Sequence, residues 1–189
     1  MNPTYPRLQT TLQPYSVGIP PWQAGEISFD FLEAHLQDPY CVALGELGFD
    51  GLRGVEFSVQ RHVFISQIHL ANRFQKPVIL HLVKAWHAFH PLMKKMQQTP
   101  WVFHGFNQPK LWEEVLHSDL IVSIGPAALR NPHMFRVFPE IPPHRLLLET
   151  DDDPMPLEAV YAEFSRLSGQ SLENVVAQVE KNFLSIFGA

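Results

Sequence analysis

Four residues that can bind a metal stand where apparent strands end: Glu46, His81, His104 and Asp151. Glu46 follows Cys41-Val42-Ala43-Leu44, His81 follows Val78-Ile79-Leu80, and His104 follows Trp101-Val102-Phe103. Asp151 opens an acidic run after Leu146-Leu147-Leu148-Glu149-Thr150. The intervals of 35, 23 and 47 residues each suit one β–α unit or a little more. Dispersed ligands of this kind belong to sites assembled from several strands, unlike the tight spacing of helical or zinc-finger sites. In α/β proteins such side chains converge at the C-terminal ends of parallel strands. Two neutral imidazoles and two carboxylates suit Zn²⁺, Mn²⁺ or Mg²⁺, and with Glu46 bridging they could hold a pair of ions. Each residue has an ordinary alternative: a strand-end histidine as a hydrogen-bonded core residue, and Asp151–Asp153 as a solvated loop or helix N-cap.

The elements that must position these residues alternate between β and α. Tyr15–Ile19 reads as a strand stopped by Pro20-Pro21, after an irregular lead-in over residues 1–14. Ser28 caps a helix through about Leu36. Cys41–Leu44 is a strand whose following Gly45-Glu46-Leu47-Gly48 reads as a tight turn. Glu56–Gln75 is a long helix with Phe57, Phe64, Ile68 and Ala71 on one face. Val78–His81, Trp101–His104, Leu120–Ile124 and Leu146–Glu149 are buried strands. Between them lie a helix carrying Trp86, Phe89 and Met93, one opened by Pro109, and a proline-punctuated short helix with loops over Leu129–Ile141. Leu157, Val160, Tyr161 and Phe164 mark another helix. Ser171 caps the last, with Leu172, Val175, Val176, Val179 and Phe183 expected to face inward. About six strands, most followed by a helix or helix-like segment, predict a parallel α/β sheet, and periodicity alone does not separate an open sheet from a closed barrel.

Composition bounds the rest. The 189 residues, 46% hydrophobic and 17% charged, fit one compact domain. A formal charge of −5 gives no field that attracts nucleic acid to the whole surface, although a metal and a local basic patch can still bind phosphate. A single cysteine, Cys41, excludes an internal disulfide and reads as a buried thiol suited to a reducing compartment. Met1–Pro6 has no basic-then-apolar leader, and no apolar run approaches the ~20 residues that span a bilayer, so a cytoplasmic protein without membrane contact is expected.

Taken together the motifs resemble the TatD family of metal-dependent hydrolases and nucleases. Ala43–Asp50 is similar to the family's AIGEIGLD segment. Gln60–Ala85, with the run QKPVILHLVKAW around His81, is similar to its helix followed by PVIIH, and His104-Gly105-Phe106-Asn107 to its HxF segment. Ser123-Ile124-Gly125 resembles the next strand, Arg145–Asp151 its RLLLETD segment, and Asn182–Gly188 its closing helix. The likeness spans roughly residues 15–188. It implies a distorted TIM-like barrel of the metal-dependent hydrolase type, incomplete at its N-terminus. It also implies one or two divalent cations per chain and hydrolysis of DNA or another phosphodiester by metal-activated water. By motif match, Glu46 is the bridging carboxylate, His81 and His104 are metal ligands, and Asp151 is a ligand or water-binding general base. Glu46 and Asp151 are thus the catalytic pair. Lys84, three residues after His81, and Arg53 are candidates for contacting phosphate. Glu149 reads as scaffold, and Asp152 and Asp153 as undecided neighbours.

The pattern departs from the family at its beginning. Members usually open with a strand bearing His-x-His, and none of the ten histidines here is two residues from another. Gly18-Ile19-Pro20-Pro21-Trp22 is similar to the family's GIHPW with Pro20 in place of histidine. Either the chain starts late or the first metal site has been lost, and the absence of two separate histidine motifs favours loss. A chain lacking those ligands can bind metal without efficient turnover, or act as an amidohydrolase-like enzyme on a non-nucleotide ester or amide. A missing strand would leave an edge to be covered, for instance in a homo-oligomer.

Overall fold

A computed structural model describes residues 13–24, 28–53 and 55–188. Its centre is a six-stranded sheet of β1 (Tyr15–Val17), β2 (Cys41–Asp50), β3 (Val78–Val83), β4 (Trp101–Phe103), β5 (Ile121–Ile124) and β6 (Leu146–Leu148). All five pairings are parallel and the strands lie in sequence order, so the sheet curls as a half-barrel with β1 and β6 at its edges. The helices are α1 (Phe29–Leu36), α2 (Phe57–Phe74), α3 (Trp86–Met96), α4 (Trp112–Leu116), α5 (Pro126–Leu129), α6 (Leu157–Ser168) and α7 (Leu172–Phe187). The alternation read from the sequence is therefore present. The proline-rich stretch after β5 is α5 followed by 3₁₀ turns at Pro132–Met134 and Phe138–Glu140. Residues 1–12 of the expected lead-in lie outside the described residues.

One expectation fails informatively. Gly45–Asp50 continues β2 for a total of ten residues, where a turn was expected. Leu44 pairs with Val78 but Leu47 with Leu80, so β2 carries one extra residue at Gly45-Glu46, a bulge. The glycines serve close approach between strands. A Cβ on Gly45 would lie 2.5 Å from the Ile79 side chain, and one on Gly48, at φ 150°, would lie 2.1 Å from the His81 carbonyl oxygen. The bulge breaks the alternation of β2 and leaves the Glu46 side chain part-exposed between buried neighbours.

The core lies where α2 and α3 pack against β2 and β3. Phe64 on α2 meets Phe49 at 5.0 Å, Trp101 at 6.0 Å and Phe89 at 6.1 Å between ring centroids. Fully burying a side chain of this size is worth roughly 1.5–3 kcal/mol. Helix α2 ends as its sequence demands: Gln75 turns left-handed at φ 52°, the Lys76 amide closes back on the Ala71 carbonyl, and Pro77 follows. Phe57, expected on the buried face, lies at the exposed start of the helix.

Helix α7 departs further from expectation. Val175 and Val179 are buried, but Leu172, Val176 and Phe183 are each more than 40% exposed. The polar Asn182 takes the inward place instead, its amide donating to the carbonyls of Pro143 and Leu146 at 2.7 Å each. The face left over borders the concave side of the half-barrel. There Ile79, Val102 and Leu147 line a cavity of about 530 Å³ with Phe183, Leu184 and Phe187. Side chains fill this space in a closed barrel.

Candidate metal centre

The rim of the half-barrel brings three of the four strand-end residues together. Glu46 stands in the β2 bulge, His81 within β3, and His104 just after β4. The distances are 3.6 Å from His81 Nδ1 to Glu46 Oε2, 3.4 Å from His104 Nε2 to Glu46 Oε2, and 3.5 Å from His104 Nε2 to His81 Nδ1. Three nitrogen or oxygen ligands at 2.0–2.2 Å from a tetrahedral ion stand about 3.3–3.6 Å apart. The triangle therefore matches the ligand edges of a small divalent cation, and its donor set suits one. Among the described residues this is the group whose candidate ligand atoms gather within 4.8 Å.

Carboxylates behind the imidazoles orient them. Asp50 Oδ2 lies 3.1 Å from His81 Nε2. Since a carboxylate only accepts, the hydrogen-bond network assigns the proton to Nε2 and turns the Nδ1 lone pair toward Glu46. Asp50 is itself buried and held: its Oδ1 accepts from the amides of Leu52 and Arg53 at 2.8 and 3.2 Å. Gln60 of α2 clamps the Asp50 backbone, accepting from its amide at 2.8 Å and donating to its carbonyl at 3.0 Å. Glu149 plays the matching part for His104, with Oε1 3.4 Å from Nδ1 while accepting from the Gly105 amide at 2.7 Å. Such carboxylate–histidine pairs fix the tautomer and raise ligand basicity.

The charges of the site act on one another. The neighbouring His81 imidazole lowers the pKa of Glu46, aided by the field of His104 and opposed by burial. Burial works against charge on His104, but Glu149, Glu46 and Asp151 outweigh it and raise its pKa. Burial pushes Asp151 upward, His104 draws it down, and Glu46, Glu149 and Asp152 add to the rise.

The remaining sequence candidates take different places. Asp151, with a left-handed φ of 49°, lines the cleft beside His81 and His104 but lies outside the group of gathered ligand atoms. Asp152 lines the same cavity, whereas Asp153 is turned to the surface, where it chelates the Arg130 guanidinium at 2.6 and 3.0 Å. Lys84 lines an adjoining cavity of about 410 Å³ with His81, His104, Gln108 and Asp151. Arg53 stacks over the Trp22 ring at 5.0 Å, and Trp22 stands edge-on to His81 with ring centroids 5.0 Å apart. Pro20, at the position where the family resemblance expects histidine, lines the cleft with them.

Asp50, Gln60, Trp22 and a second buried glutamine, Gln67, were not singled out from the sequence, and Glu149 was read as scaffold without a histidine partner. Period-two alternation along an extended β2 would have placed Asp50 with Glu46, and the same spacing relates Glu149 to Asp151. No comparable signal marks the glutamines or Trp22.

The sequence profile described as TatD related DNase matches residues 9–188. The human protein named Deoxyribonuclease TATDN3 is 26% identical over 163 residues, covering 77% of this chain and 60% of that protein. The 3'-5' ssDNA/RNA exonuclease TatD of Pantoea ananatis is 26% identical over 211 residues, covering 92% and 77%. Among solved structures, YJJV, the TATD homolog from Escherichia coli K12, superposes with a TM-score of 0.80 at 23% identity, covering 92% of this chain and 76% of that one. An uncharacterized amidohydrolase from Saccharomyces cerevisiae superposes with a TM-score of 0.81 at 14% identity, covering 92% and 80%. At these identities the structures establish a shared fold. The chain belongs to the TatD related DNase family.

Proposed function

We propose that this chain is a metal-dependent phosphodiester hydrolase acting on DNA or a closely related nucleic acid, with Glu46, His81 and His104 holding one Zn²⁺, Mg²⁺ or Mn²⁺. The observation that carries the proposal is the triangle of ligand atoms with edges of 3.4–3.6 Å, backed by Asp50 and Glu149. The bound cation would act as a Lewis acid toward a phosphoryl oxygen and lower the pKa of a bound water. The protein's own residues do the rest. Glu46 brings negative charge to the site, and Asp50 and Glu149 keep both imidazole lone pairs aimed at it. Asp151, in the same cleft, is placed to accept a proton from an attacking water and to pass it on to the leaving oxygen. Lys84 and Arg53 lie near enough to the triad to meet non-bridging phosphate oxygens.

Purified protein incubated with Mn²⁺ or Mg²⁺ should release nucleotides from an oligodeoxynucleotide. Chelation should stop the reaction, and Glu46→Ala should reduce it to background. Activity that survives Glu46→Ala would sink the assignment.

The presence of Pro20 at the rim favours a second reading. Without a second histidine cluster beside the triad, the chain would bind a cation and a ligand with little turnover. Stoichiometric metal binding with no hydrolysis across phosphodiester, ester and amide substrates would select that reading, and hydrolysis confined to a non-nucleotide ester or amide would indicate an amidohydrolase-like enzyme instead.

A further inference from the structure

Trp22 is used unlike the other three tryptophans of the chain. Trp101 and Trp112 lie in the core and Trp86 packs against it, but Trp22 belongs to neither group. It is half-buried beside the metal triad, edge-on to His81, with the Arg53 guanidinium over its ring. Both partners are held from below. The turn carrying Trp22 follows Ile19, whose amide donates to Gln67 at 2.7 Å and whose carbonyl accepts from Gln67 at 3.0 Å. Arg53 is tied through its amide to Asp50, and its Nε lies 3.6 Å from the same carboxylate that orients His81. Its side chain is nevertheless 60% exposed. Other arginines are committed elsewhere: Arg130 to Asp153, Arg166 to Glu163, Arg73 to Glu33, and Arg145 to three carbonyls.

A guanidinium held over an indole ring offers one ligand both a flat stacking surface and paired N–H donors. Any nucleobase can stack on the indole, and the guanidinium pairs with phosphate through parallel N–H donors. A base inside a duplex has both faces covered by its own neighbours and cannot use such a platform. With a net charge of −5, the protein must bind a polyanion through local contacts of this kind. We propose that Trp22 and Arg53 form a nucleotide clamp beside the triad, with a base of an unpaired strand stacked on the Trp22–Arg53 pair and a phosphate of that strand on the Arg53 guanidinium. This inference rests on the phosphodiester reading above.

The test compares the full-length protein on three substrates with Mn²⁺: a single-stranded oligodeoxynucleotide, its blunt duplex, and an oligomer of the same length built from abasic nucleotides. Trp22→Ala should raise KM for the base-bearing single strand by roughly 5- to 100-fold, the range that one stacked base supplies. It should raise KM on the abasic oligomer much less, because that strand has no base to stack while its phosphates can still reach Arg53. Trp22→Phe, which keeps a stacking face, should restore most of the loss. Arg53→Ala should raise KM on both oligomers. Binding of the single strand should also quench tryptophan fluorescence, and Trp22→Phe should remove that quenching. Equal effects of Trp22→Ala on the base-bearing and abasic oligomers would overturn the clamp, as would quenching that persists in Trp22→Phe or wild-type turnover that does not favour the single strand. If no phosphodiester is hydrolysed at all, the functional reading falls, while the quenching experiment still decides the clamp.

Discussion

The two ends of the half-barrel are built to opposite specifications. At the β2–β3 rim the backbones come so close that Gly45 and Gly48 have no room for a Cβ, and side-chain hydrogen bonds from Gln60 and Gln67 pin the chain on either side of Glu46. At the β6–α7 end, an apolar cavity of about 530 Å³ is bordered by a helix with one valine pair split between core and solvent. Precision is concentrated where ligand atoms must stand within a few tenths of an ångström of metal geometry. The other end retains apolar side chains that the described residues leave uncovered. The difference teaches that this sheet is overdetermined around its candidate chemistry and underdetermined along its open face.

The sharpest way to break the contrast is Gly48→Ala. At φ 150°, with the added Cβ 2.1 Å from a backbone oxygen, the substitution should cost about 4 kcal/mol or more and leave little folded protein in thermal denaturation. A modest loss would mean that the rim is looser than its geometry indicates. Next comes Asp50→Asn, which keeps the shape but lets the side-chain amide face His81 Nε2. It should lower metal affinity roughly 10- to 100-fold by isothermal titration while the melting temperature falls much less. Glu149→Gln should act on His104 in the same direction.

Helix α7 supplies the smallest and most direct comparison. Val179→Ala removes buried methyls and should cost about 2 kcal/mol, whereas Val176→Ala, three residues away, should change stability by less than about 0.5 kcal/mol. Equal costs would show that the exposed face is covered in solution, as it would be in a homo-oligomer.

These residues also show what a sequence reader can and cannot see. Glu46, His81 and His104 were legible because each stands beside a short apolar strand and because their residue types have few structural uses in such places. The β–α order was legible from periodicity. The extent of β2 was not, because two glycines in four residues read as a turn when nothing reveals that the neighbouring strand needs the space. Gln60 and Gln67 were invisible for a related reason: a glutamine seven residues from another on a helix reads as solvated surface until the backbone it clamps is known. On α7 the apolar stripe predicts five inward residues, of which Val175 and Val179 are buried and Leu172, Val176 and Phe183 are exposed. What it could not reveal was that Asn182 takes an inward place while Val176 and Phe183 face out. Asp151 kept its place in the cleft, but the distinction between ligating an ion and lying beside one is a matter of distance that spacing does not carry.

The central claim is that Glu46, His81 and His104 are the ligands of one ion. Anomalous diffraction from crystals grown with Mn²⁺ or Zn²⁺ tests it most directly. A single strong peak about 2.0–2.2 Å from His81 Nδ1, His104 Nε2 and a Glu46 oxygen, absent in Glu46→Ala crystals, is the predicted result. A peak held by other side chains, or a saturated crystal with no ion among these three, would contradict it.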